Sequence, residues 1–170
     1  ETKSKYIQQI AQELKDENLN VVQNAERVYE FVIQNLSYDY EAQNKGMVER
    51  KGAKEAIVQK ENSTCMEFSD LFIAISRAIG IPAREVNGYA FASEGENKPI
   101  SINLNGGDYL HSWAEFYDPN YGWVQVDPTW GETSGIDYFY KNDTNHLSFV
   151  VKGLNSEHPF SAGTYRFNGN

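Results

Sequence analysis

An α+β fold is predicted for this chain, with helices gathered in its first part and an antiparallel sheet in its second. Three observations predict it. Apolar residues recur at helical three-and-four spacing up to Ile79, Gly80 and Pro82 then break that pattern, and the segments that follow alternate with a period of two. The 170 residues, 40% apolar and 14% aromatic, suit one self-sufficient domain over 1–170, its helical part about 1–80 and its sheet part about 81–170.

The elements follow in order. From Lys3 to about Leu19, residues Tyr6, Ile7, Ile10 and Leu14 mark one helical face, which the Asp16-Glu17-Asn18 cluster interrupts. Val21, Ala25, Val28, Tyr29, Val32, Ile33 and Leu36 form a stronger second helix, and the polar stretch 41–52 reads as a loop. A short helix at about Ala53–Lys60 precedes the dominant one. There Asn62-Ser63-Thr64 can cap a helix whose buried face is Phe68, Leu71, Phe72, Ile75 and Ile79.

Past Pro82, strands are predicted at Arg84–Phe91, Tyr109–Tyr117, Trp123–Asp127, Ser148–Lys152 and Thr164–Phe167. Asn87-Gly88 could signal a hairpin turn, but a continuous strand with a glycine at a point of close approach is the preferred reading. Asp118-Pro119-Asn120-Tyr121-Gly122 is a hairpin connector, so the strands on either side of it should be antiparallel neighbours. The Gly/Asn-rich stretch 92–108 reads as a long rim or lid loop.

Composition excludes several roles. With 15 Lys plus Arg against 24 Asp plus Glu, the formal charge of −9 disfavours nucleic acid and anionic membrane surfaces. One cysteine precludes an internal disulfide and a Cys-rich zinc cage, and no apolar stretch is long enough to span a membrane. The start at Glu1, without methionine or signal segment, reads as an excised or processed piece of an extracellular or cell-surface bacterial protein.

That cysteine, Cys65, falls in the first turn of the dominant helix, where free amides and the helix dipole favour a thiolate. A small buried hydrophobe is the competing role, since free cysteines are commonly core residues. The strand Tyr109–Tyr117 supplies His111, and the adjoining strand ends at Asp127, a carboxylate placed to hold the imidazole. Alternation puts His111, Trp113 and Glu115 on one face. Trp113 and Trp130 are expected to wall a substrate groove. His146 and His158 show no partner pattern and read as surface residues, and the three histidines lack metal-ligand spacing. Glu67 and Asp70 should favour the helix start electrostatically while opposing ionisation of the thiol.

These motifs together resemble the transglutaminase-like superfamily of papain-like Cys-His-Asp enzymes. The resemblance runs over about residues 25–130. It rests on Cys65 at a helix start, Phe68, Leu71-Phe72, Arg77 through Arg84, Val86-Asn87-Gly88-Tyr89, His111-Ser112-Trp113-Ala114-Glu115, and Gly122-Trp123 leading into Asp127-Pro128-Thr129. It implies a papain-like core with Cys65 as nucleophile, His111 as general base and acid, and Asp127 as the orienting residue. It further implies acyl transfer on amide or peptide carbonyls of a protein or peptide substrate, by hydrolysis or transamidation, without a cofactor. The backbone amide of Cys65 would be one oxyanion donor; the second is unassigned, with Tyr38 and Tyr40 as candidates for which packing is the preferred role. Two departures are Ser63, where family members usually have glycine, and Met66, where several have Trp or Gln. A non-catalytic binding or scaffolding domain of a larger protein is the rival expectation.

Overall fold

The break at Pro82 divides the structure as the periodicity predicts. In this computed structural model, which describes residues 1–44, 49–91, 102–104, 108–141 and 144–155, five helices precede it. They are α1 (Lys5–Leu14), α2 (Val21–Asn35), α3 (Tyr40–Asn44), α4 (Ala53–Val58) and α5 (Cys65–Ala78). Then come β1 (Ala83–Ala90), β2 (Ile102–Leu104), β3 (Asp108–Asp118), β4 (Gly122–Val126), α6 (Pro128–Ser134) and β5 (His146–Val151).

Local chemistry sets the helix starts. Asn20 accepts from the Gln23 amide at 2.9 Å while Gln23 accepts from the Asn20 amide at 3.1 Å, a reciprocal cap that begins α2. At α5, the Glu67 carboxylate accepts from the Thr64 amide at 2.9 Å and from the Thr64 hydroxyl at 2.7 Å. Helix α3 lies at the start of the stretch expected to be a loop; Asp39 nucleates it by accepting from the amides of Glu41 and Ala42.

Helix α5 is the hub. It packs against α1, α2, α4, α6, β1 and β3, and eleven of its residues, Cys65 and Glu67 through Ser76, are buried. The single apolar face read from the sequence underestimates this, because helices close over α5 on its other sides. Phe72 and Phe116, both fully buried, meet with ring centroids 6.5 Å apart, and Phe116 stacks on Phe139 at 5.7 Å. Each buried phenylalanine of this kind stabilises the fold by about 2–3 kcal/mol.

The sheet is antiparallel and five-stranded, running β5-β1-β3, with β2 and β4 both on the far edge of β3. Strand β1 lies along β3 from Ala83 opposite Phe116 to Tyr89 opposite Leu110. The expected hairpin is present: β4 pairs β3 from Ala114 opposite Val126 to Asp118 opposite Gly122. Asn87-Gly88 lies inside β1 and not in a turn. A Cβ at Gly88 would sit 1.9 Å from the Leu147 carbonyl oxygen, so glycine permits the close approach of β5 at the bulge there.

Three sequence expectations change. Strand β5 begins at His146, two residues before Ser148. The strand expected to run to Asp127 ends at Val126, and Asp127 instead caps α6, with Pro128 at its first position, where a missing N–H costs nothing. Within the predicted 92–108 loop, Ile102–Leu104 forms β2 and Asp108 opens β3; the rest of that loop and the predicted strand Thr164–Phe167 lie outside the described residues.

Candidate active site

On its far edge, β3 is paired by β2 at Asp108–Leu110 and by β4 at Ala114–Asp118, so residues 111–113 have no partner strand there among the described residues. The N-terminus of α5 comes to this gap. Its first residue, Cys65, is 3% exposed, and the Ser112 backbone N–H donates a hydrogen bond to its sulfur. Helical and sheet halves are thus joined at the residue next to His111.

His111 and Asp127 are brought together. The His111 Nε2 lies 2.7 Å from Asp127 Oδ2, with the two side chains 0% and 1% exposed. Asp127 is also the N-cap of α6, its Oδ1 accepting from the Trp130 amide at 3.0 Å. Capping and imidazole contact therefore use different oxygens of one carboxylate. Burial tends to raise its pKa, but the contacts with His111 and His146 prevail and hold it well below the usual carboxylate range.

An ionised Asp127 can only accept, which makes His111 Nε2 a donor and leaves the lone pair on Nδ1. That Nδ1 is buried and has no hydrogen-bond partner among the described residues. It is the ring atom left to exchange a proton.

The thiol itself departs from expectation. Burial pushes the Cys65 pKa up to about 12; the Ser112 N–H opposes this, while the carboxylates of Glu67, Asp127 and Glu85 add to it. Desolvation thus outweighs the helix terminus, and the resting group is a neutral thiol rather than the expected thiolate.

Trp113 and Trp130 are both 0% exposed, so the expected groove walls are closed to solvent. They pack on the imidazole instead, with centroids 5.9 Å and 5.4 Å from the His111 ring at interplanar angles of 25° and 28°. Tyr38 is buried in the core and meets Tyr40 edge-on at 5.4 Å; burial raises its phenol well above the ordinary value. The Ser63 hydroxyl, two residues before Cys65, is buried without a partner among the described residues.

His146 is not a surface residue. Its side chain is 1% exposed, and its Nε2 lies 3.0 Å from the same Asp127 Oδ2 that His111 contacts. The sequence signal was its place just before the alternating run Leu147–Val151, which extends β5 by two residues and pairs His146 with Ala90. His111, Asp127 and His146 place one potential ligand atom each within 4.8 Å of one another, though two of these contacts are hydrogen bonds in a sealed setting. His158 lies outside the described residues.

Buried charges brace the site from below. Arg50 reaches both Asp70 of α5 and Glu85 of β1, its Nε 2.7 Å from Asp70 Oδ2 and its Nη2 2.7 Å from Glu85 Oε2. Glu85 also accepts from the Ser112 hydroxyl at 2.8 Å, which ties this cluster to the strand residue that bonds Cys65. Of the two helix acids considered in the sequence, Glu67 caps α5 and Asp70 is neutralised by Arg50.

A cysteine opening a buried central helix, docked on an antiparallel sheet that carries a His–Asp pair, defines a papain-like architecture. The chain belongs to the transglutaminase-like superfamily, whose family model matches residues 8–128. It is 40% identical over 82 residues to the uncharacterized protein YebA of Bacillus subtilis, a match covering 47% of this chain and 11% of that protein. It is 33% identical over 109 residues to a protein-glutamine gamma-glutamyltransferase of Pseudomonas aeruginosa, covering 57% of this chain and 15% of that one. A solved structure of a candidate cysteine protease from Cytophaga hutchinsonii superposes with a TM-score of 0.55 at 26% identity, covering 73% of this chain and 37% of that chain. The chain therefore corresponds to a small part of the curated relatives it matches. No described helix is long and apolar enough to cross a membrane.

Proposed function

We propose that this domain carries out thiol-dependent acyl transfer on amide carbonyls, with Cys65 as nucleophile, His111 as base and acid, and Asp127 as the group that orients His111. The observation that carries the reading is the sealed His111–Asp127 contact of 2.7 Å, which leaves an unpartnered Nδ1 one residue from the amide that bonds Cys65. Because the resting thiol is neutral, the proton must leave as the sulfur attacks. His111 Nδ1 takes that proton while the Cys65 sulfur bonds to the carbonyl carbon, and the imidazolium then returns it to the departing nitrogen. Asp127 stays ionised throughout and stabilises the imidazolium. The Cys65 backbone amide, at the helix start, is a natural donor to the oxyanion.

A protein or peptide carboxamide fits this chemistry, and the glutamyltransferase and candidate protease among the similar proteins span its two outcomes. Water is the acceptor we favour. An amine acceptor calls for a walled channel that excludes water, and the tryptophans expected to build one are packed beneath the imidazole. Incubation with a glutamine-containing protein and a labelled primary amine tests this: every turnover frees one ammonia, so under hydrolysis ammonia release should be more than twice amine incorporation, and one labelled amine incorporated per ammonia would assign transamidation.

The burial of Cys65 favours a second reading, a binding domain with an inert thiol. Alkylation by iodoacetamide at neutral pH separates the two. An enzyme should label at Cys65 and lose most of that rate in His111→Ala; equal, slow labelling of both proteins would support the binding domain.

A further inference from the structure

The His111–Asp127 pair has an additional member. His146, from the first residue of β5, donates from Nε2 to Asp127 Oδ2 at 3.0 Å, onto the same oxygen that His111 approaches at 2.7 Å. With the Trp130 amide on Oδ1, three donors converge on one buried carboxylate. Charged hydrogen bonds of this kind fix both the orientation and the ionisation of an acid.

The imidazole of His146 is itself locked. Its ring centroid lies 4.4 Å from that of Trp130, 5.0 Å from Trp113 in an edge-on contact, and 6.3 Å from Tyr138. Trp113 and Trp130 are the rings that also stack on His111, so the two histidines share one aromatic box with Asp127 at its polar centre. Neither imidazole could move without disturbing the other's packing.

We propose that His146 is a positioning residue: acting through Asp127, it holds the carboxylate in the rotamer that serves His111 and keeps the acid ionised when His111 takes up the Cys65 proton. The consequence is local and chemical. With His111 on Oδ2 and the Trp130 amide on Oδ1 alone, Oδ2 keeps a lone pair free to draw the proton of the imidazolium; shared between two imidazoles, that oxygen is a weaker base and is held more firmly in place. The role rests on the Cys65–His111 reading above, whereas the hydrogen bond and its tautomer do not depend on catalysis.

Two variants and one spectrum test it. His146→Phe keeps an aromatic ring in the box without an N–H, and His146→Gln restores a donor. Iodoacetamide labelling of Cys65 should slow about tenfold in His146→Phe, the scale of one charged hydrogen bond, and recover in part in His146→Gln, with melting temperatures confirming that both fold. Imidazole ¹⁵N and ¹H spectra of the unsubstituted protein should show His146 protonated at Nε2, with its N–H at low field and moved by Asp127→Asn. Wild-type labelling that ignores His111→Ala would sink the catalytic reading but not the hydrogen bond. A folded His146→Phe that labels at the wild-type rate, or His146 found as the Nδ1–H tautomer, would overturn the positioning role; should His146→Phe fail to fold, His146→Gln and the tautomer decide.

Discussion

His111 and Asp127 meet at 2.7 Å with neither side chain exposed by more than 1%, an arrangement that couples stability to pH. The folded-state pKa of Asp127 is depressed, so its contribution is present above the unfolded value near pH 4 and is lost as pH falls toward the folded value. Asp127→Asn should therefore be less stable than the parent at pH 7, with the gap shrinking steadily below about pH 4. Urea midpoints measured across that range check this; a constant gap would contradict it.

The same pair predicts a ranking. Asp127→Ala removes orientation but leaves a base, so Cys65 labelling should fall less than in His111→Ala. Equal loss in two soluble, folded variants would mean that Asp127 does more than orient.

Cys65→Ala should abolish amide turnover while lowering stability by only about 1 kcal/mol, because one small side chain is lost from the end of a helix. A core cysteine without chemistry would show the reverse pattern, and denaturant titrations beside an ammonia-release assay distinguish them.

The thiol's raised pKa gives a fourth expectation. Burial favours the neutral form, so without the His111 base the labelling rate should still be rising at pH 10, where an ordinary thiol, half ionised near pH 8.5, has levelled off. A midpoint near 8.5 in His111→Ala, with a plateau by pH 10, would show that desolvation does not control this group.

Arg50→Met would strip the cation from two buried carboxylates, Asp70 at 8% and Glu85 at 1% side-chain exposure. Breaking a buried pair by removing one partner costs about 3–5 kcal/mol. Arg50→Lys should recover only part, since an ammonium lacks the planar fork that reaches both acids. Thermal melts of the three proteins test the order.

Much of this was legible in the sequence, for identifiable reasons. The switch from helical to alternating spacing at Pro82 sets the α+β division, and the period of two places His111 and Trp113 on one face. Gly88 was correctly read as a close-approach residue within a strand. Energies that depend on surroundings were not legible: the helix-start rule predicts a thiolate at Cys65, and burial, which no local pattern reports, reverses it. Trp113 and Trp130 were assigned to the right neighbourhood but to the wrong surface, because an aromatic that walls a groove and one that supports an imidazole have the same sequence signature. His146 was missed because its partner, Asp127, is joined to it by the fold and by no motif.

The docking of α5 into the unpaired stretch of β3 also makes the one thiol a natural gauge of the seam between the two halves. Cys65 and Ser112 are far apart along the chain, so their contact exists only while the helical and sheet halves are docked. In the native protein, a disulfide reagent too bulky to enter, used dilute enough that the seam recloses faster than it reacts, should react in proportion to the fraction of time that seam is open. The ratio of that rate to the rate in denaturant would then give the free energy of opening with no cysteine introduced by substitution, and would show whether the helical and sheet halves separate more easily than either one unfolds.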